Sequence, residues 1–147
     1  MRSRLAKDNP GLRKIFGPGT ETGVLTLAAI SQRAQRQLSK FDVLARQELE
    51  QRGIAVPPGI GLLGCPQCAL KLEGDHPQAV ELQQWLDGNT KIAKCFKEVE
   101  VLFELVRATE APGQIFSADS CFHIGITRAG PVAYFQDHVC CTTDLHA

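Results

Sequence analysis

The clearest pattern in the chain is a helical repeat of apolar side chains over residues 24–52. Apolar residues return every three or four positions, and polar residues such as Arg33 and Lys40 occupy the positions between them. This spacing predicts one long amphipathic helix with a single buried face. Gly53 followed by Ile54 is typical of a helix end at which the glycine takes a left-handed conformation. The apolar positions are Leu27, Ile30, Ala34, Leu38, Phe41, Ala45 and Leu49.

Two shorter helical repeats follow. The first begins near Pro77, a residue suited to the first turn of a helix, and ends at Gly88. The second begins at Asn89, whose side chain can cap a helix, and runs to about Thr109. Cys95 lies within the second apolar stripe, so we expect it to belong to the core. The apolar positions are Val80, Leu82, Trp85 and Leu86, then Ile92, Cys95, Phe96, Val99, Leu102, Phe103 and Val106.

The pattern changes to alternation over residues 121–140, which predicts two strands joined at Arg128-Ala129-Gly130-Pro131. Phe122, Ile124 and Ile126 alternate on the first strand. Residues 54–75 are rich in proline and glycine, and we interpret them as a stiff loop. Three helices, one of them long and amphipathic, followed by a C-terminal β-hairpin predict an α+β fold.

The domain organisation predicted is simple. Residues 1–23 contain several prolines and glycines and a one-sided positive charge, so we expect a mobile basic arm, either solvated or in contact with an acidic partner. Residues 24–147 are expected to form a single globular domain. The basic residues of the arm are Arg2, Arg4, Lys7, Arg13 and Lys14.

Composition and charge exclude several function classes. Sixteen basic residues balance sixteen acidic ones among the 147, so no overall field draws the chain to nucleic acid or to an anionic membrane. No apolar run approaches the length of a membrane span, and no secretory signal follows the basic N-terminus. We therefore expect a cytoplasmic protein in a reducing compartment. Phosphate-binding glycine loops and the common hydrolase motifs are also missing from the sequence.

Six cysteines are the most distinctive chemistry in the chain. In a reducing compartment they are expected to be thiols, metal ligands or redox groups before disulfides, although each could also be a small buried apolar residue. Cys65 and Cys68 form a CxxC motif, which suits a zinc knuckle, an iron–sulfur cluster or a redox dithiol. A thioredoxin-like fold is disfavoured because the βαβ order is missing. The remaining cysteines are Cys95, Cys121, Cys140 and Cys141.

A second group of candidate ligands lies near the C-terminus. If the predicted hairpin pairs Thr127 with Val132, then Cys121 lies opposite His138. Alternation then brings His123 and Cys140 to the same face. Two thiolates and two imidazoles form a plausible tetrahedral zinc set.

These patterns favour a small, non-catalytic metal-binding protein with an accessory, assembly or regulatory role. Zinc is preferred over an iron–sulfur cluster, and the 24–52 helix is expected to contact another protein or a second copy of the chain. A thiol enzyme, using the CxxC pair or a cysteine–histidine pair, and a structural subunit with buried cysteines are the alternatives. The candidate metal ligands are Cys65, Cys68, Cys121, His123, His138 and Cys140.

Overall fold

In a computed structural model of the chain, the structure describes residues 26–65, 68–117 and 119–137, without the side chains of Cys65, Cys68 and Ala69. These residues form three helices and one four-stranded sheet. The helices are α1 (Leu27–Gln51), α2 (Ala79–Leu86) and α3 (Thr90–Glu110). The strands are β1 (Ile60–Cys65), β2 (Cys68–Glu73), β3 (Ser120–Thr127) and β4 (Gly130–Asp137). The predicted α+β class, three helices followed by a C-terminal hairpin, is confirmed. The predicted arm lies outside the described residues.

Helix α1 has a capping interaction at each end. The Thr26 side chain accepts a hydrogen bond from the Ala29 amide at 3.1 Å and caps the first turn. At the other end Gly53 has φ +71°, and the amide of Ile54 donates to the carbonyl of Leu49 at 2.9 Å. These two features form a Schellman ending, as the Gly53-Ile54 pair predicts. The buried residues of α1 are Ile30, Ala34, Gln37, Leu38, Phe41, Ala45 and Leu49.

The turn between α2 and α3 is held by Asn89. Its side chain accepts from the Ile92 amide at 3.2 Å, as predicted for a helix cap, and donates to Glu48 of α1 at 3.0 Å. The indole of Trp85 donates to the same Glu48 carboxylate at 2.9 Å. One carboxylate therefore joins α1 to both shorter helices.

Val80 was predicted on the apolar side of α2, and this is wrong: it is 67% exposed, because only the opposite side of this short helix faces the core.

The four strands form one antiparallel sheet in the order β2-β1-β3-β4. The prediction of a loop over residues 54–75 is therefore wrong, since this region contains the β1–β2 hairpin. Its strand β1 is central and is buried on both sides: Ile60 and Leu62 face the core, and Leu63 is buried on the other face. Gly64 lies in β1 at a position where a Cβ would be 2.5 Å from the ring of Phe96.

An aromatic cluster fills the space between the sheet and the helices. The Phe96 ring of α3 lies edge-on to Phe41 of α1 and to Phe122 of β3, with centroid separations of 5.9 and 5.5 Å. Phe122 also contacts Phe103 and Phe135. The alternate residues Phe122, Ile124 and Ile126 thus face the core, as predicted from their spacing.

The register of the C-terminal hairpin differs from the predicted one. Thr127 pairs with Gly130 rather than Val132, so the turn is two residues long, and every partner moves by two positions. Cys121 consequently lies opposite Gln136 and not opposite His138. A shift of two residues keeps each side chain on its predicted face, which is why the core face was still identified correctly.

Candidate metal site

Cys65 and Cys68 lie directly opposite each other across the β1–β2 hairpin. Cys65 is the last residue of β1 and Cys68 the first of β2, and the two are Cα partners in the antiparallel pairing. The register shifts between Leu63 and Cys65, so this pair follows a bulge or irregularity in the ladder. The CxxC motif is therefore a cross-strand pair at one end of the sheet.

Cys121 lies at the same end of the sheet, on the other neighbour of β1. The last pair of the β1–β3 ladder is Gly64 with Phe122, so Cys65 and Cys121 each lie one residue beyond it. Three cysteines thus occupy the same end of three adjacent strands, β2, β1 and β3. Neighbouring strands are about 4.8 Å apart.

His123 lies on the sheet face that points away from the helices, two residues from Cys121. It is opposite Leu63 on one side and Tyr134 on the other, and only 1% of it is exposed. Its ring stacks on the Tyr134 ring, with centroids 4.9 Å apart and planes 6° from parallel.

The Nδ1 atom of His123 lies 2.9 Å from Oε1 of Glu73. An ionised carboxylate only accepts hydrogen bonds, so Nδ1 carries the hydrogen and Nε2 is the basic nitrogen of the neutral ring. Glu73 reaches His123 from β2 across the whole width of β1. Gly61 lies opposite Glu73, and a Cβ at Gly61 would be in van der Waals contact with this side chain, 3.5 Å from Oε1.

The surroundings of Cys121 are apolar and acidic. Its Sγ donates to the carbonyl of Asp119 at 3.4 Å. Burial, followed by the negative charges of Asp119, Glu100 and Asp137, raises the pKa of the Cys121 thiol. The thiolate is therefore disfavoured at neutral pH, whereas the same charges would favour a bound cation.

The structure does not locate the other two predicted ligands. His138 and Cys140 lie outside the described residues, as does Cys141. Cys95 packs beside the core from α3, as predicted, and burial followed by the charge of Glu98 raises its pKa. Among the side chains that the structure describes, no three His, Cys, Asp or Glu residues are grouped to hold a metal ion. A complete ligand set here therefore needs at least one cysteine or histidine whose side chain is not described, and Cys65 and Cys68 are the candidates in the neighbouring strands.

Sequence reasoning missed Glu73 and the neighbouring positions of Cys65 and Cys121. The alternation of Leu70 and Leu72 with Lys71 and Glu73 is the signal that could have identified β2 and its polar face.

None of the helices within the described ranges combines the length and apolar content needed to cross a membrane. Comparisons of the chain with protein-family models, with curated proteins and with solved structures found no match.

Proposed function

We propose that the protein is a small metal-binding accessory or regulatory protein, and that Cys65, Cys68, Cys121 and His123 hold zinc, or else an iron–sulfur cluster. The observation that carries the proposal is the position of three cysteines at one end of three adjacent strands. Zinc bound there would join β2, β1 and β3 and would stabilise the fold through its ligands.

The charges around Cys121 favour a metal ligand over a nucleophile. A cysteine nucleophile needs a lowered pKa, usually from a neighbouring positive charge. Here burial and then Asp119, Glu100 and Asp137 raise the pKa of the thiol. A divalent cation reverses this balance, because it stabilises the thiolate directly and is itself attracted by the acidic groups.

The contacts of His123 also suit a ligand. Metal-binding histidines usually donate their second ring N–H to a carboxylate or carbonyl, which fixes the tautomer and the ring orientation. The hydrogen bond from Nδ1 to Glu73 and the stacking on Tyr134 satisfy both requirements. In the neutral ring the remaining nitrogen, Nε2, has the lone pair that a metal requires.

The proposal is tested by the metal content of untagged protein purified without chelators, measured by mass spectrometry together with a visible spectrum. We expect close to one zinc per chain; absorption near 400 nm would instead indicate a cluster. Cys65→Ser, Cys68→Ser and Cys121→Ser should each lose most of the metal. Cys95→Ser is the matched control and should retain it, since Cys95 lies on α3 away from the three strands.

Glu73→Gln provides a finer test of the histidine. It should weaken zinc binding by about 10–100-fold, the usual effect of losing a carboxylate behind a ligating histidine. The proposal would be refuted by wild-type protein that contains no metal. It would also be refuted if Cys65→Ser, Cys68→Ser and Cys121→Ser all retained their metal. Metal lost only in Cys140→Ser and His138→Ala would move the site to the C-terminal residues.

A redox dithiol is the second candidate, and the direct pairing of Cys65 with Cys68 favours it specifically. Opposed strand positions meet the Cα separation of about 4.4–6.8 Å that a disulfide needs. This alternative predicts metal-free protein in which one of the two thiols reacts faster than a free thiol at pH 7. A thiol titration in the wild type and in Cys68→Ser separates the two functions.

A further inference from the structure

The two edges of the sheet are built differently. At the β2 edge, the amide of Leu72 donates to Oε1 of Gln83 on α2 at 3.4 Å, so a side chain occupies part of that edge. Strand β2 also carries Lys71 and Glu73, and charged side chains discourage pairing with another strand. The β2 edge is therefore protected.

The β4 edge is less protected within the described residues: Pro131, which has no amide proton, is its one residue of the kind that discourages pairing before the final Asp137. No described strand pairs with its outer side, and the strand has eight residues of which only the last, Asp137, is charged. Val132 and Tyr134 are 48% and 42% exposed on the face that points away from the helices. A long, uncharged edge strand with exposed apolar side chains is a template for pairing with another strand.

We propose that β4 pairs antiparallel with β4 of a second copy, around a two-fold axis at Ala133, to form a continuous eight-stranded sheet. An axis perpendicular to the sheet keeps the helices of both copies on the same side. Each residue then pairs with one on the same face, as in any antiparallel ladder.

The register centred on Ala133 explains where the exposed apolar residues are. It places Val132 opposite Tyr134 of the second copy, and Tyr134 opposite Val132 of that copy. The four side chains form one apolar strip across the junction. Directly opposed aromatic and β-branched side chains are a favourable cross-strand pair.

The same register also matches charge. It brings Asp137 of each copy to the β3–β4 turn of the other, where Arg128 is exposed. Opposite charges therefore meet at both ends of the junction, while its centre contains no charge that self-pairing would set against itself. This self-complementarity favours a second copy over an unrelated peptide as the occupant of the edge.

The test is sedimentation velocity or light scattering across a protein concentration series. We expect a reversible dimer in the wild type. Val132→Lys should raise the dimer dissociation constant at least about tenfold, because it puts a charge on each side of the apolar strip. Val80→Lys is the matched control: it changes a valine on α2 that is even more exposed than Val132, and it should leave the dimer intact. Val43→Lys changes the exposed face of α1 and tests whether that helix mediates the contact instead.

Hydrogen exchange measured on the wild type tests the proposal without any substitution. In the wild type, exchange of the β4 peptide should slow as the protein concentration rises through the dimer range, while the β2 peptide should not change. A wild type that is monomeric at every concentration would overturn the proposal. A dimer that Val43→Lys dissociates and Val132→Lys leaves intact would also overturn it. Val132→Lys should keep its metal even when it no longer dimerises, since the cysteines lie on the other three strands.

Discussion

Replacing Gly64 with alanine tests how tightly the aromatic cluster beneath β1 is packed. The added Cβ would lie 2.5 Å from Cε1 of Phe96, 3.1 Å from Cζ and 3.3 Å from Cδ1. Favourable carbon–carbon contacts are about 3.5–4.0 Å, so the ring would have to move by about 1 Å. It cannot do so without displacing Phe41 or Phe122, against which it lies edge-on.

The expected loss of stability follows from two opposing effects. Overpacking a well-filled core costs about 1–3 kcal/mol. Alanine also restricts the unfolded chain, which stabilises a protein by about 0.4–1 kcal/mol. Because a displacement of about 1 Å among buried rings belongs in the upper part of the overpacking range, we expect Gly64→Ala to lower the free energy of unfolding by about 1–2 kcal/mol.

Urea unfolding in reducing buffer measures this change, with the fluorescence of Trp85, the single tryptophan and a buried one, as the probe. Gly59→Ala is the control, since the atom nearest to its Cβ is 3.6 Å away. It should not lower stability and should raise it by up to about 1 kcal/mol, because the restriction of the unfolded chain is not opposed by a clash.

A double-mutant cycle identifies the cause. Phe96→Leu removes part of the ring that the new methyl group meets, so Gly64→Ala should be tolerated better in that background, with a coupling of about 1 kcal/mol or more. A Gly64→Ala variant within about 0.5 kcal/mol of the wild type, or two purely additive changes, would refute the packing argument.

Further predictions concern the helices, one thiol and the N-terminal residues. Leu38 is 3% exposed, so Leu38→Ala should lower the unfolding free energy by about 2–5 kcal/mol in urea, whereas Ser39→Ala on the exposed side should not. Asn89→Ala should cost about 1–2 kcal/mol, because the cap on α3 and the bond to Glu48 are both lost; an unchanged melting temperature would contradict this. The raised pKa of Cys121 means that its contribution to stability is fully present below its ordinary pKa of about 8.5 and is lost as the pH rises through the raised value. In metal-free protein, kept so with a chelator, stability should therefore fall less between pH 7 and pH 10 in Cys121→Ala than in the wild type. Deleting residues 1–15 should leave the melting temperature within a few degrees of the full chain, and a larger drop would mean that the segment packs on the domain.

The helices could be predicted from the sequence because their signals are local. The apolar repeat of α1, the Gly53-Ile54 ending and the Asn89 cap each depend on residues within a few positions of one another. The core face of β3 was predicted for the same reason, since Phe122, Ile124 and Ile126 alternate in an unbroken run.

The β1–β2 hairpin could not be recognised from local pattern. As a central strand, β1 buries side chains on both faces, so Leu62 and Leu63 follow one another and no alternation is seen. Gly61 and Gly64 are typical of loops, yet here both are strand residues, and Gly64 makes room for the Phe96 ring of α3.

In the candidate site, too, the local features could be predicted and the long-range ones could not. The CxxC pair is a local motif and was identified directly. The neighbouring position of Cys121 depends on the β1–β3 pairing, and the contact between Glu73 and His123 depends on three strands at once. Neither leaves a trace in the spacing of residues along the chain.

The strand order has a consequence for how the chain reaches its folded state. The central ladder joins Ile60 of β1 to Ile126 of β3, residues from opposite halves of the chain, while both hairpins close over short loops. Closing a long loop is entropically expensive, and distant pairings slow folding. During synthesis β1 and β2 leave the ribosome well before β3. The edge of β1 that pairs with β3 therefore stays unpaired until the β3–β4 hairpin has been made. We therefore expect the docking of the two hairpins to limit the folding rate, and the unpaired inner edge of β1 to be where the nascent chain is most prone to aggregate.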